Sequence, residues 1–369
     1  MFFYVSFLRP PPVECVASSQ SVIITPQIAN DLRTETYTET VDLHYLWLPT
    51  KAPRGVQPPQ PRKLTTWHAG SNAYKSVEVP LPSGVQAGDA YRLGLIAVMP
   101  SAGAPTSASL ATSLDQPLAT LGSMPLPVVS APVQFVRRPG ASGATKSEQI
   151  ERAFMVGSKR VVVREQTSFD LDKKMWDSGL GLSAWLSHLL QQPEPTEAAS
   201  LLKTSLLTDG CRILELGTGT GFVGLMLHAT LASRESVKSA SILATDLPSA
   251  VPSGCPISVV GAVLDWDEPA IPAAAQDVDV LVMADVTYNT DAFPSLLKTL
   301  QGIRFKVLVL GYKQRDPAER ELWKSLGRDG TQSPCSKPLG LDLILAEKIV
   351  GAGGEPVEVW IGTPPNSTV

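Results

Sequence analysis

Short apolar runs recur along the second half of the chain, with turn residues between them. Four of these runs cover residues 213–216, 241–246, 279–284 and 305–312. Runs that are apolar on successive positions are typical of strands buried on both faces of a parallel sheet. Leucines and a tryptophan recur at helical spacing over residues 180–191, which predicts a helix packed on that sheet. Two further runs, 341–349 and 356–361, predict a closing antiparallel pair.

The first 149 residues have a different pattern. Alternation of apolar and polar positions predicts short strands at residues 21–25, 40–48 and 76–81. Residues 101–127 are rich in Ala, Ser, Pro and Thr, a composition more typical of a flexible connector than of a packed core. We therefore expect three regions: a β-prone, proline-rich region at 1–100, a linker at 101–149 and an α/β domain at 150–365.

Three glycines at alternate positions, Gly217, Gly219 and Gly221, directly follow the first apolar run. A helical pattern over residues 222–231 begins immediately after them. Glycine is required where the backbone turns sharply and a ligand approaches the main chain without meeting a Cβ atom. A strand, a glycine turn and a helix N-terminus in series predict a nucleotide-type cofactor pocket at the carboxyl end of the sheet.

The residues around the glycine loop indicate which cofactor it binds. The dinucleotide motif G-x-G-x-x-G would place its third glycine one position later, where this chain has Phe222. Glu215, two positions before the first glycine, would repel a pyrophosphate but suits a cation. S-adenosylmethionine carries a sulfonium and an ammonium group and no phosphate, so the loop favours this methyl donor over NAD.

Acidic and aromatic residues follow the next two strands. Asp246 ends the run 241–246, at the position where an acid hydrogen-bonds ribose hydroxyls in nucleotide-binding sheets; the structural alternative is a turn or helix-capping residue. Trp266 can stack on an adenine while Asp265 or Asp267 accepts a hydrogen bond from its amino group. The alternative for Trp266 is a surface side chain packed on a neighbouring loop.

Asp285 and Tyr288 follow the central run 279–284, at the sheet edge where ligands of such folds bind. At this point four blocks of sequence together resemble methyltransferase family 16, the protein-lysine methyltransferases of the seven-stranded class I type. The blocks are M-W-D-S-G at 175–179, E-L-G-T-G-T-G at 215–221, T-D-L-P at 245–248 and A-D-V-T-Y at 284–288. The last block matches the family's Asp-x-x-Tyr motif.

The resemblance covers residues 150–365 and implies a Rossmann-like seven-stranded class I methyltransferase sheet. It implies that Trp176 helps to cover bound S-adenosylmethionine and that Asp285 and Tyr288 line the channel for a target lysine. The residues expected to bind the cofactor are Trp176, Glu215, Gly217, Thr218, Gly219, Gly221, Asp246, Leu247, Asp265, Trp266 and Ala284.

One segment departs from the family pattern. Relatives carry a helix between the ribose-binding acid and the Leu-x-Trp strand, whereas only residues 250–260 fill that gap here. Pro252, Gly254 and Pro256 make this segment a poor helix. Either the crossover is shortened to a loop, or a piece is missing from this version of the sequence.

Composition and charge exclude several classes of partner. A net charge of -4 and the absence of a basic run argue against nucleic acid and membrane-surface binding. No apolar span reaches 18 residues, and we expect a monomer located in the cytoplasm and also in the nucleus. The four histidines and four cysteines are not spaced as ligands of a metal.

The sequence favours methyl transfer to a lysine of another protein, and by family analogy to a translation factor, a ribosomal protein or a chaperone. A small-molecule amine methyltransferase and a non-catalytic interaction protein on the same fold remain alternatives, as do histidine or an N-terminal amine as acceptor. A nicotinamide-dependent oxidoreductase is excluded by the glycine spacing and Glu215. The region before residue 150 is either a β element that docks substrate or a partly disordered extension.

Overall fold

The computed structural model describes most of the chain, as strands and helices arranged in three sheets. The described residues are 1–51, 59–72, 74–138, 147, 149–166, 173–193, 195–234, 237–247, 259–268, 270–327 and 339–365. The short crossover predicted at 250–260 therefore lies outside the described residues, except for its last two positions.

Strands of the N-terminal part form two sheets within the described residues. Their bounds are β1 Tyr4–Arg9, β2 Glu14–Val16, β3 Ser21–Ala29, β4 Val41–Pro49, β5 Arg62–Trp67, β6 Val77–Pro80, β7 Ala90–Val98, β8 Ala111–Ser113, β9 Val128–Ser130, β10 Val133–Val136, β11 Gln149–Val156 and β12 Lys159–Gln166. Strands β1, β3 and β6 form a three-stranded antiparallel sheet, and the others form a nine-stranded sheet. The three strands predicted before residue 100 are confirmed as β3, β4 and β6.

The C-terminal part contains a seven-stranded sheet. Its strands are β13 Cys211–Leu216, β14 Ala240–Asp246, β15 Val259–Val263, β16 Val280–Ala284, β17 Val307–Lys313, β18 Asp342–Ile349 and β19 Val357–Thr363. They lie in the order β15-β14-β13-β16-β17-β19-β18, with the first five parallel and β19 antiparallel to both of its neighbours. This arrangement confirms the predicted Rossmann-like sheet. The strand order reverses between β13 and β16, the place where such sheets bind ligands.

Helices cover both faces of the seven-stranded sheet. These helices are α2 Asp177–Gln191, α3 Glu197–Leu207, α4 Phe222–Leu231, α5 Phe293–Gln301 and α6 Glu321–Leu326, and a short helix α1, Ala69–Asn72, lies in the N-terminal part. Successive residues of β13 point to opposite faces: Ile213 packs in one core with α2, α3 and α4, and Leu214 packs in another with α5 and α6. Burial on both faces explains why these strands are apolar on successive positions.

The N-terminal region differs from its predicted boundaries. The expected linker at 101–149 contains β8, β9 and β10, and both β8 and β9 pair with β11. Within the α/β domain expected at 150–365, residues 159–166 instead form β12 of the nine-stranded sheet, paired along its length with β11. The boundary predicted at residue 150 therefore falls inside a hairpin. Pairing of β8 with β11 overrides the weak local preference of the Ala, Ser and Pro-rich segment 101–127. Strands β9 and β10 follow that segment and have the β-forming sequences V-V-S and V-Q-F-V.

A continuous hydrophobic core joins the two parts of the chain. Phe2 and Phe154 from the N-terminal part lie in the same buried cluster as Leu182 of α2. The ring of Phe154 meets that of Phe222 edge to face, with centroids 4.8 Å apart. Phe2 also donates its backbone N–H to the Asp177 carboxylate at 2.9 Å. The N-terminal part is thus packed against the start of α2 and α4, close to the carboxyl edge of the parallel strands.

Candidate cofactor and acceptor site

A cavity of about 330 Å³ opens at the carboxyl ends of β13, β14 and β16. It lies at the reversal point of the strand order and is bounded by the starts of α2 and α4. All the predicted site residues except Gly221 line this cavity: Trp176, Glu215, Gly217, Thr218, Gly219, Asp246, Leu247, Asp265, Trp266, Ala284, Asp285 and Tyr288. The topology therefore brings together side chains that five separate segments of the sequence supply.

The glycine loop has a backbone that other residues rarely adopt. Gly217, Gly219 and Gly221 have φ angles of 67°, 51° and 75°, in the left-handed region that favours glycine. A Cβ atom on Gly217 would lie 2.9 Å from Cγ1 of Val286. Gly221 is the N-cap of α4 and supports the cavity without lining it. The loop thus keeps the main chain accessible to a ligand beside a helix N-terminus.

Glu215 presents a buried carboxyl group to the cavity. It is 2% exposed, and one of its oxygens accepts the Gly224 N–H at 3.1 Å. Burial is the main reason that the pKa of Glu215 rises to about 7. A positive charge bound in the cavity would stabilise the ionised carboxylate, so this position favours a cationic ligand over a phosphate.

Asp246 links the end of β14 to the glycine loop. Its Oδ2 accepts the backbone N–H of Gly219 at 2.6 Å, and its Oδ1 accepts that of Leu247 at 2.7 Å. The second contact is the turn role considered from the sequence, and the first fixes the carboxylate beside the loop. The Asp246 side chain thus stabilises the turn after β14 and also lines the cavity, at the position expected for ribose recognition.

The aromatic end of the cavity follows β15. Trp266 is half-buried, lines the cavity and packs on the hydrophobic core beneath α5. A Cβ atom on Gly217 would lie 3.8 Å from Cζ2 of the indole ring, so the tryptophan borders the glycine loop. Asp265 lines the same wall and accepts the backbone N–H of Asp267 at 3.0 Å. Trp266 therefore packs on its neighbours and also lines the cavity, so both roles considered from the sequence apply to it.

The opposite end of the cavity carries the Asp-x-x-Tyr block. Asp285 is 7% exposed and has a φ of 55°, a strained value for a residue other than glycine. Its Oδ2 accepts a hydrogen bond from Ser178, and its Oδ1 is ion-paired with Arg315. The Arg315 guanidinium lies 5.2 Å from the ring centroid of Trp176. Tyr288 is 60% exposed at the mouth.

Several residues of this site were missed by the sequence analysis. Arg315 and Leu32 line the cavity, and Ser178 bonds to Asp285. Arg315 could have been found, because it stands two residues after β17 and polar residues at the carboxyl ends of parallel strands meet at one edge. Ser178 lay within a block already recognised. Leu32 gave no signal, because it reaches the site only through the folding of the N-terminal part.

The described residues contain no group of three or more His, Cys, Asp or Glu side chains placed to hold a metal ion. Within the same part of the chain, none of the helices combines the length and the apolar character needed to traverse a lipid bilayer. The cavity is lined by carboxylates, the glycine loop, aromatic residues and the guanidinium of Arg315.

Parts of this chain are similar in sequence to known lysine methyltransferases. Residues 156–329 match the family model described as lysine methyltransferase. The chain is 30% identical over 97 residues to the protein N-lysine methyltransferase METTL21A of Danio rerio, which covers 26% of this chain and 44% of that protein. It is 28% identical over 138 residues to the protein-lysine N-methyltransferase EFM6 of Saccharomyces cerevisiae, covering 32% and 56% respectively. The chain thus spans about half the length of these relatives.

Solved structures with a similar chain path include fibrillarin of Aeropyrum pernix in complex with natively bound S-adenosyl-L-methionine, at 12% identity and a TM-score of 0.33. That match covers 61% of this chain and 84% of fibrillarin. A SAM-dependent methyltransferase of Aquifex aeolicus is similar at 17% identity and a TM-score of 0.28, with 48% and 98% covered. The assignment of the fold rests on the strand order described above.

Proposed function

We propose, on the premise that residues 156–329 match the lysine methyltransferase family model, that this chain transfers a methyl group from S-adenosylmethionine to a lysine side chain of a protein. The observation that carries the proposal is the placement of Asp285 and Tyr288. Both line the same cavity as the glycine loop, at the carboxyl end of the central strand β16.

The residues of the cavity fit S-adenosylmethionine, the cofactor of this family. The glycine loop leaves its main chain open at Gly217, where a Cβ atom would collide with Val286. Glu215 offers a buried carboxyl group for the cofactor's positive charge, Asp246 a carboxylate for its ribose and Trp266 an aromatic face for its adenine. When bound, the cofactor supplies an electrophilic methyl group on sulfur.

The acceptor amine must be neutral to attack that methyl group. A free lysine has a pKa near 10.4, so deprotonation at pH 7 costs about 4–5 kcal/mol. Burial and the nearby positive charges lower that pKa. Asp285 is held by Ser178 and Arg315, and its carboxylate can accept a hydrogen bond from the amine and orient it. Positioning of this kind supplies much of the rate of such a displacement.

The exposure of the acceptor end supports a protein substrate over a small molecule. Tyr288 is 60% exposed and Leu32 is 39% exposed, and both line the cavity. A pocket for a small amine would be closed over by such residues, whereas a lysine on a protein surface needs an open mouth. We propose a translation factor, a ribosomal protein or a chaperone as the target, in the cytoplasm and nucleus.

Two measurements test this function. Thermal unfolding with S-adenosylhomocysteine should show stabilisation of about 2.7 kcal/mol at 100 times the dissociation constant, and NAD should give none. Incubation with methyl-labelled S-adenosylmethionine and a cell lysate, followed by acid hydrolysis of the labelled protein, should yield methyl-lysine. Label recovered only as methyl-histidine, or only in small molecules, would overturn the proposed acceptor.

A variant pair separates binding from turnover. Asp285→Ala should retain S-adenosylhomocysteine binding and lose lysine methylation. Asp291→Ala is the matched control, because Asp291 is an exposed aspartate of the neighbouring turn Thr290–Ala292 that does not line the cavity. Normal methylation by the Asp285 variant would show that the acceptor channel lies elsewhere.

A further inference from the structure

A guanidinium group bridges the acceptor carboxylate and the N-terminal part of the chain. Arg315 pairs through Nη1 with Asp285 and donates through Nη2 to Oδ2 of Asp31 at 2.9 Å. The exposed fractions of these side chains are 13% for Arg315, 7% for Asp285 and 0% for Asp31. Asp31 lies on the loop after β3, so a residue of the N-terminal part contacts the acceptor site through a single side chain.

Asp31 is itself held in place from several directions. Its Oδ1 accepts from Nζ of Lys313 at 3.1 Å and from the backbone N–H of Leu32 at 2.9 Å. Its Oδ2 also accepts the backbone N–H of Asp177 at 3.3 Å. Burial opposes its ionisation, but the charges of Arg315 and Lys313 outweigh burial and lower the pKa of Asp31. Asp31 is therefore an ionised and rigid anchor.

The bridge depends on the shape of the arginine side chain. A guanidinium presents its donors in a planar fork, so separate nitrogens can face two carboxylates at once, whereas a lysine ammonium is a point charge on a flexible stem. Stacking of Arg315 on Trp176 fixes the plane of the fork. With Ser178 on its other oxygen, Asp285 has one orientation relative to the cavity.

A buried arginine–glutamate ion pair elsewhere in the chain provides a comparison for the Arg315 bridge, because it lies away from the cavity. Arg152 and Glu165 join β11 to β12 at 2.8 Å and are 3% and 8% exposed. Neither residue lines the cofactor cavity, whereas Arg315, Asp285 and Leu32 all do. The Arg315 bridge thus differs from the Arg152 pair in facing the site.

We propose that Arg315 is a positioning residue of the methyl-acceptor site and that Asp31 of the N-terminal part holds it against Asp285. This inference rests on the proposed function and deepens it, since it makes the N-terminal part a component of the acceptor site. Removal of the guanidinium releases Asp285 from one of its two side-chain partners, Ser178 and Arg315.

The test uses the full-length chain and two ligands that need no acceptor protein. Sinefungin carries an amine where S-adenosylmethionine carries its methyl group, and S-adenosylhomocysteine has neither. In Arg315→Met and Arg315→Lys, we expect the ratio of the two dissociation constants to change about tenfold or more, the effect of altering one charged hydrogen-bonding partner. The affinity for S-adenosylhomocysteine should stay within about threefold of the wild type, and lysine methylation should fall about 100-fold.

Further variants keep the proposal open to refutation if one protein fails to fold. Asp31→Asn removes the anchor charge with little change of shape and should change the same ratio in the same direction as Arg315→Lys. Arg152→Met, the matched control, should lower stability and leave the ratio unchanged. An unchanged ratio and a normal methylation rate in the folded Arg315 and Asp31 variants would overturn the inference. A wild-type chain that binds no S-adenosylhomocysteine would instead overturn the proposed function itself.

Discussion

Replacement of Glu215 by glutamine tests whether the buried carboxyl group of the cavity receives the positive charge of the cofactor. Glu215 is 2% exposed, and burial raises its pKa to about 7 from an ordinary value of 4.5. Below pH 7 the carboxyl group is therefore mostly protonated in the free protein. A bound cation favours the ionised form and lowers the pKa, so binding below pH 7 releases this proton.

The size of the effect follows from the raised pKa. Binding should release about 0.9 proton from Glu215 at pH 6 and about 0.1 proton at pH 8, so affinity for S-adenosylmethionine should strengthen about tenfold as the pH rises from 6 to 8. Glutamine cannot ionise, but its side-chain oxygen can still accept the Gly224 N–H. Glu215→Gln should therefore bind more weakly at pH 8, by about 10- to 100-fold, and lose this part of the pH dependence.

Titration calorimetry in two buffers of different ionisation enthalpy measures the released protons directly. The ligand's own amino group titrates identically with both proteins, so the difference between wild type and variant isolates position 215. Glu268→Gln serves as the control, because Glu268 is an exposed residue that does not line the cavity. Equal proton release by wild type and Glu215→Gln at pH 6 would refute the assignment of this carboxyl group to the cofactor's charge.

Three other substitutions have defined outcomes. Gly217→Ala places a Cβ atom 2.9 Å from Val286 at a φ of 67°. It should lower the free energy of unfolding in urea by about 1–2 kcal/mol and weaken S-adenosylhomocysteine binding. A variant with unchanged stability and unchanged binding would show that the loop tolerates a side chain. Asp246→Ala should abolish the calorimetric signal of S-adenosylhomocysteine binding, and undiminished binding would remove the ribose role. Gly311→Ala brings a Cβ atom within 2.9 Å of Cβ of Leu182, and should lower the free energy of unfolding by about 1–3 kcal/mol; unchanged stability would mean that α2 can shift away from β17.

The cofactor half of the site could be predicted because its determinants are local in sequence. The strand before Gly217, the glycines and the helix after them adjoin one another, and the fold brings strand ends to a common edge. Asp246 and Asp285 are expected at that edge because Asp246 ends one apolar run and Asp285 directly follows another. Periodicity and turn chemistry are properties of short segments, and they can be recognised without knowledge of the tertiary structure.

The contacts that hold the acceptor carboxylate of Asp285 could not be predicted in the same way, although Asp285 itself could. Asp31 and Arg315 are 284 positions apart, and no local pattern pairs a loop aspartate with one particular arginine. The strained backbone of Asp285 likewise depends on its surroundings and not on its residue type. Strand β8, Ala111–Ser113, has a weak strand preference of its own and is ordered by its pairing with β11 in the nine-stranded sheet.

The separation of Asp31 from Lys313 also sets an order of events during synthesis. The two residues are 282 positions apart, and both become buried in the same ionic cluster. At about 5–20 residues per second, a ribosome needs roughly 15–60 s to pass from one to the other. During that interval the aspartate has no cationic partner from β17, so the acceptor end can assemble only after β17 has been synthesised, when the N-terminal strands have had time to pair with one another.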